Sequence, residues 1–290
     1  MILSLIKKLY YISRRFIFHR LFLISAKSDF GNKKNFSKYF SHLIETRISD
    51  FHRTVSWGDR LLTLDKAQNF NEDYRFKKAF EEIKGSHIYD QYDGNDTIVW
   101  RLNTLVWAAR CSLKLDGDFI ECGTFKGDMA WVIIIHSINF QEKRDKAFYL
   151  YDSFEGFSRK YSFVNDFPDS PGFLNYAEKF YKKPGLYESV IKRFGKIDNV
   201  HVVKGFLPDS LDSNTHDKIA FLHLDLNSPG PEIAVLEMLF DRVVLGGTIV
   251  LDDFGWILHK KQLEAEITFF EKRNQVVLEL PTGQGLVIKR

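Results

Sequence analysis

The chain has 290 residues, 44% hydrophobic and 27% charged, enough apolar content for a sizeable core beneath a charged surface. A net charge of +3 is too small to suggest general nucleic-acid binding, so no nucleic-acid partner is expected. Two cysteines, Cys111 and Cys122, exclude a disulfide scaffold and fit a reducing, cytoplasmic setting.

Residues 1–27 carry Lys7, Lys8, Arg14, Arg15, Arg20 and Lys27 and no acid, interleaved with Ile, Leu, Phe and Tyr. No apolar run there approaches the roughly 20 residues that span a bilayer. Two readings stand side by side. One is a basic amphipathic helix held peripherally on the inner face of an anionic membrane. The other is a helix packed on the body or on a second subunit, which leaves a homo-oligomer open. Residues 28–50 are polar and loop-like. From about 51 the pattern reads as helical: Leu61, Leu62 and Leu64 lead in, and Ile98, Val99, Leu102, Leu105, Val106, Ala108 and Ala109 recur at helical spacing. Residues 28–112 are therefore expected to form a helical cap region before a main domain at 113–290.

From 117 onward strands and helices alternate, as in a parallel sheet with helices on both faces. Strands are predicted at Phe119–Glu121, Phe148–Tyr151, Val200–Val203, Phe221–Leu224 and Thr248–Leu251, and helices near 127–139, 172–194, 230–242 and 259–273. The end differs: 276–280 and 286–289, joined through Pro281-Thr282-Gly283-Gln284-Gly285, read as a hairpin. A terminal antiparallel hairpin on a parallel sheet favours a class I methyltransferase over a dehydrogenase.

In open parallel sheets ligands bind beyond the carboxyl ends of the strands. The apolar runs here end in acids, so those acids are expected to share one cleft. After Glu121, a turn of the form Gly123-x-x-x-Gly127 opens a helix, letting a ligand approach the backbone. Phe125 stands where a dinucleotide fold needs a second glycine for its pyrophosphate. A cofactor without phosphate fits better, and S-adenosylmethionine is the candidate. Asp152 ends the next strand and is placed to take both ribose hydroxyls. It lies 31 residues past Glu121, further than the roughly 20 of the dinucleotide fingerprint. Gly205 and Phe206 follow the third strand, where an adenine ring could rest or a plain turn could form. The candidate cofactor set is thus Glu121, Gly123, Thr124, Gly127, Asp152, Ser153, Phe154, Gly205, Phe206 and Asp225.

Asp225 and the Asp252–Asp253 pair end strands expected to be neighbours, about 4.8 Å apart. Three carboxylates that close repel unless a cation sits among them, and all-oxygen donors suit Mg²⁺ or another hard divalent cation. Asn227 could complete the shell or serve the turn. For the general base, Asp225, His223 and His259 are candidates. Arg101 and Lys126 could meet the cofactor carboxylate, though ordinary pairing is the default for both.

With these residues in hand, the chain from about 98 to 290 resembles the macrocin O-methyltransferase family. The resemblance rests on Phe119-Ile120-Glu121-Cys122-Gly123, Asp152-Ser153-Phe154-Glu155-Gly156, Leu224-Asp225-Leu226-Asn227, Gly246-Gly247 and Asp252-Asp253-Phe254-Gly255. It implies a Rossmann-like fold, a mostly parallel seven-stranded sheet, and Mg²⁺-dependent methylation of sugar hydroxyls. It also implies Asp225, Asp252 and Asp253 as metal ligands, Asp225 as base and Asp152 as ribose ligand. The segment after Asp225, Leu226-Asn227-Ser228-Pro229-Gly230-Pro231-Glu232, departs from the family's usual Leu-Tyr-Glu-Ser, so a macrolide acceptor is not carried over. The acceptor is expected to be a sugar hydroxyl on a nucleotide sugar, a surface polysaccharide, a lipid-linked glycan or a glycosylated metabolite. The alternatives are a nicotinamide-dependent oxidoreductase and a non-catalytic membrane-associated scaffold.

Overall fold

Near-continuous apolar runs in the sequence become strands buried on both faces, the pattern that parallel sheets covered by helices require. The computed structural model describes residues 55–58, 61–83, 98–136, 146–211 and 216–290. The basic segment 1–27 and the loop-like 28–50 lie outside the described residues. Seven strands form the main sheet: β3 (Asp118–Cys122), β4 (Phe148–Asp152), β5 (Val200–Lys204), β6 (Ile219–Leu224), β7 (Val243–Leu251), β8 (Leu278–Glu279) and β9 (Gly285–Ile288). Their order is β5-β4-β3-β6-β7-β9-β8. The five strands from β3 to β7 run parallel, and β9 and β8 close the edge antiparallel.

Side chains alternate across the sheet and sort into two cores. Phe119, Phe148, Leu150, Phe221 and Val250 face α2 (Val99–Ser112), α3 (Asp128–His136) and α5 (Leu186–Phe194). Ile120, Leu222, Leu224, Ile249 and Leu251 face α6 (Pro229–Leu239) and α7 (Lys260–Glu271). This parity decides the site. Glu121, His223 and Asp252 follow the first set and so emerge on the side of α2.

Two expectations are corrected. The stretch around 61–64 is not helical: β1 (Val55–Gly58) and β2 (Leu61–Leu64) pair as an antiparallel hairpin, followed by a short 3-10 turn at Asn69–Glu72 and then α1 (Tyr74–Ile83). Consecutive leucines and a threonine satisfy a short strand as well as a helix, and the run is too short for periodicity to arbitrate. The single helix expected at 172–194 is two, α4 (Phe173–Tyr181) and α5, because Pro184 and Gly185 interrupt it. The α2 helix is tied to the main sheet through Ser112 and Thr248, whose hydroxyls lie 2.8 Å apart, and Thr248 also donates to the Ala108 carbonyl. No described helix is long and apolar enough to cross a membrane.

Candidate active site

The cleft opens above the carboxyl ends of β4, β3 and β6. It is lined by Gly123, Asp152, Gly205, Phe206 and Asp225, among others, with about 910 Å³ of empty space partly open to solvent. Gly123 sits at φ +97°, and a Cβ there would lie 1.9 Å from the Asp225 carbonyl oxygen. Only glycine lets the turn after β3 pass so close to the end of β6.

Asp152 organises the wall of the cleft at the end of β4. Its Oδ2 accepts the Phe125 N–H at 2.7 Å and its Oδ1 the Phe154 N–H at 2.6 Å. Both donors have left-handed backbones, with φ of +48° at Phe125 and +55° at Phe154. Such conformations cost energy and persist where surrounding bonds enforce them. One carboxylate therefore ties together the turn after β3 and the turn after β4. Each oxygen keeps a further lone pair for a ligand hydroxyl. Burial raises the Asp152 pKa, opposed by the two amide bonds. The Phe125 ring packs between Phe180 and Tyr181 at the cleft wall.

Beyond that wall, β6 and β7 are neighbours in the sheet, as expected, so Asp225 and Asp252 emerge side by side. Asp252 is buried and fully engaged. Its Oδ2 accepts Arg101 Nη1 at 2.6 Å and its Oδ1 accepts Gln284 Nε2 at 2.8 Å. Arg101, on α2, also lies 3.9 Å from Asp253 and stacks 4.9 Å from the Trp256 ring. Burial alone would raise the Asp252 pKa, but Arg101, His223 and Gln284 hold its carboxyl far below the usual range. Asp225 differs: burial, then Asp252 and Asp253, push its carboxyl well above normal. Asp253 is also raised, by burial and by Asp252, with His259 opposing.

Among the described residues, no three His, Cys, Asp or Glu side chains are grouped so as to hold a metal ion. The donor chemistry nevertheless fits a hard cation. Asp225 and Asp253 are buried carboxylates whose pKa values are raised by burial first and then by the neighbouring Asp252. Arg101 and Gln284 take both oxygens of the third, Asp252.

Other candidates fall elsewhere. His223 is buried between Glu121 Oε1, 3.1 Å from its Nδ1, and Asp252 Oδ1, 3.7 Å from its Nε2. Burial alone would lower its pKa, but the two carboxylates outweigh that and raise it to about 10. It lies fully buried beneath the cleft rather than lining it. Glu121 also accepts the Thr124 hydroxyl at 3.0 Å, so both are spent on internal bonds. The Phe154 ring is in the core, and only its N–H serves the site. Ser153 lines the cleft but donates to the Gly156 carbonyl at 2.7 Å. Gly127 lies behind the turn, against the Phe194 ring. His259 is buried, 3.9 Å from Asp253 and edge-on to Phe167 and Phe173. Asn227 donates to Asp225 Oδ1 at 2.8 Å. Lys126 lies 5.5 Å from the Phe125 ring. Sequence reasoning missed Gln284 as a partner of Asp252. Gln284 sits in the turn just before β9, a segment that reads from the sequence only as the hairpin connection.

The strand order, the glycine turn and the acid at the end of β4 define a class I methyltransferase fold. The Macrocin-O-methyltransferase (TylF) family matches residues 62–281, and the chain belongs to that family. It is 26% identical over 161 residues to mycinamicin III 3''-O-methyltransferase of Micromonospora griseorubida, covering 53% of this chain and 62% of that relative's length. Among solved structures, the O-methyltransferase NovP aligns with a TM-score of 0.55 at 18% identity, over 72% of this chain and 88% of that one. The calicheamicin methyltransferase CalS11 aligns with a TM-score of 0.54 at 16% identity, over 77% and 93%. Family membership overturns the nicotinamide alternative. The scaffold alternative rested on residues 1–27, outside the described residues.

Proposed function

We propose that this protein is an S-adenosylmethionine-dependent O-methyltransferase acting on a sugar hydroxyl of a nucleotide sugar, a polysaccharide unit or a glycosylated metabolite. The observation that carries the reading is the division of the strand-end acids. Asp152 faces the cleft with lone pairs to spare, and Asp225, two strands away, lines the same cleft with its pKa raised by burial and by Asp252 and Asp253. The name of the curated relative, a mycinamicin III 3''-O-methyltransferase, supports O-methylation as the reaction class.

In this reading Asp152 receives the ribose hydroxyls, and Gly123 and Gly205 let the cofactor lie against the backbone. Asp225 accepts the proton of the acceptor hydroxyl. Bound here, S-adenosylmethionine would supply an electrophilic methyl group. A divalent cation held by Asp225 and Asp253, next to Asp252, would lower the hydroxyl pKa. Arg101 and Gln284 keep Asp252 ionised and oriented. Most of the rate would come from positioning and electrostatics.

The test is calorimetric titration of S-adenosylmethionine, with and without Mg²⁺ and with NAD as control, followed by transfer of labelled methyl to a panel of nucleotide sugars. Binding of S-adenosylmethionine, and transfer that EDTA abolishes, are expected. Absence of binding would overturn the cofactor, and full activity in EDTA would overturn the metal.

A further inference from the structure

On the sheet face opposite Arg101, two acids are buried against each other. Glu232, in the first turn of α6, and Glu266, on α7, are both 0% exposed. Glu232 Oε1 accepts the Leu226 N–H at 2.9 Å and Gln262 Nε2 at 3.2 Å. The Gln262 amide also reaches Glu266 Oε1 at 3.4 Å. The second oxygen of each acid is buried without a partner of another kind. Two adjacent carboxylates cannot both ionise in a dry interface. Burial raises both pKa values, Glu266 well above its ordinary value, so the pair shares a proton while Glu232 Oε1 holds the Leu226 and Gln262 donors.

The place where this expense is met points to its purpose. The sheet ladder ends with the Asp225 N–H bonded to the Cys122 carbonyl, and α6 does not begin until Pro229. The Leu226 N–H lies in that gap, between Asp225 and Asn227, and Glu232 satisfies it. Apolar side chains would fill an α6–α7 contact at no such cost. We propose that Glu232, braced by Gln262 and by the Glu266 carboxyl, is the positioning residue that fixes the Asp225–Asn227 backbone against the acceptor. This rests on the reading of Asp225 as the base.

The test uses the full chain with Glu232→Ala, Glu232→Asp and Glu232→Gln. Glutamine can still accept the Leu226 N–H, whereas aspartate keeps the charge and withdraws it by one methylene. Hydrogen exchange at the Leu226 and Asn227 amides should quicken by about tenfold or more in Glu232→Ala and stay near wild type in Glu232→Gln. With an accepted nucleotide sugar, kcat should fall about 30-fold in Glu232→Ala. Glu232→Asp should fall between, and Glu232→Gln should recover most of the rate. The acceptor KM and the S-adenosylmethionine affinity should hold within about threefold. Unchanged exchange, unchanged kcat, or a Glu232→Gln as impaired as Glu232→Ala would overturn the proposal. If Glu232→Ala does not fold, the aspartate and glutamine variants give the same contrast. If wild type methylates no nucleotide sugar, the acceptor class fails, and the exchange contrast still decides whether Glu232 holds this backbone.

Discussion

Replacing Arg101 with methionine tests whether the α2 guanidinium is what makes Asp252 tolerable at the end of β7. The two groups are 2.6 Å apart, with side chains 5% and 1% exposed. Removing one partner of a buried pair leaves an uncompensated charge and costs about 3–5 kcal/mol. For a domain of this size that corresponds to a fall in Tm of roughly 6–20 °C. The assay is thermal unfolding at pH 7 in EDTA, repeated with Arg101→Met in an Asp252→Asn background, where much of the loss should vanish because no charge is stranded. The pH dependence has a definite sign. The folded pKa of Asp252 is depressed, so the pair contributes stability above the ordinary carboxylate pKa and loses it as pH falls towards the folded value. The gap between wild type and Arg101→Met should therefore narrow in acid. Millimolar Mg²⁺ should also narrow it, if these carboxylates take a cation. A Tm within about 2 °C of wild type, or an undiminished loss beside Asp252→Asn, would refute the reasoning.

Three further outcomes follow from the geometry. A Cβ on Gly230 would lie 2.0 Å from the Tyr161 carbonyl oxygen, so Gly230→Ala should destabilise by about 1–3 kcal/mol in urea unfolding, and a neutral effect would show the segments part freely. Asp152→Ala removes the acceptor of two backbone amides and of the proposed ribose contacts. Calorimetry should show S-adenosylmethionine binding weakened by about 10–100-fold, and unchanged affinity would remove Asp152 from the site. Burial raises Glu232 to about 7 from its ordinary 4.5, with Glu266 and Gln262 on α7, Asp253 after β7 and His223 on β6 facing it. The folded state binds that proton more tightly, so this stability is present below pH 4.5 and lost as pH rises through 7. Roughly 3 kcal/mol should disappear across that window relative to Glu232→Gln, and parallel pH curves for the two proteins would count against the shift.

The parallel strands and the acids at their ends were legible because each is written locally, as an apolar run closed by a carboxylate. The β1–β2 hairpin was not, since Leu61–Leu64 is short and satisfies either period. His223 misled for a related reason. Its two-residue spacing from Asp225 correctly put both on one face, but the spacing says nothing of depth, and depth placed the ring between Glu121 and Asp252. Arg101 and Gln284 converge on Asp252 from opposite ends of the chain, a juxtaposition that only the fold creates. The Glu232–Glu266 pair was hidden by distance along the chain and by residue type, because a helical glutamate reads by default as solvent-facing.

The carboxyl edge of the sheet gathers six acids, and what neutralises each separates scaffold from chemistry. Glu121 is held by His223 and Thr124, Glu232 by the Leu226 amide, Gln262 and the proton it shares with Glu266, and Asp252 by Arg101 and Gln284. Asp152 is met by neutral amides that leave lone pairs facing the cleft. Asp225 has Asn227 as a neutral donor, and Asp253 has His259 and Arg101 only at 3.9 Å. These last two have raised pKa values with no cation in hydrogen-bond contact, while Asp252 beside them is driven strongly down. A cation from solvent or a proton from an acceptor hydroxyl gains most where negative charge is least compensated. In the proposed reading that place is the Asp225–Asp253 pair, and Asp225 is the member that lines the cleft.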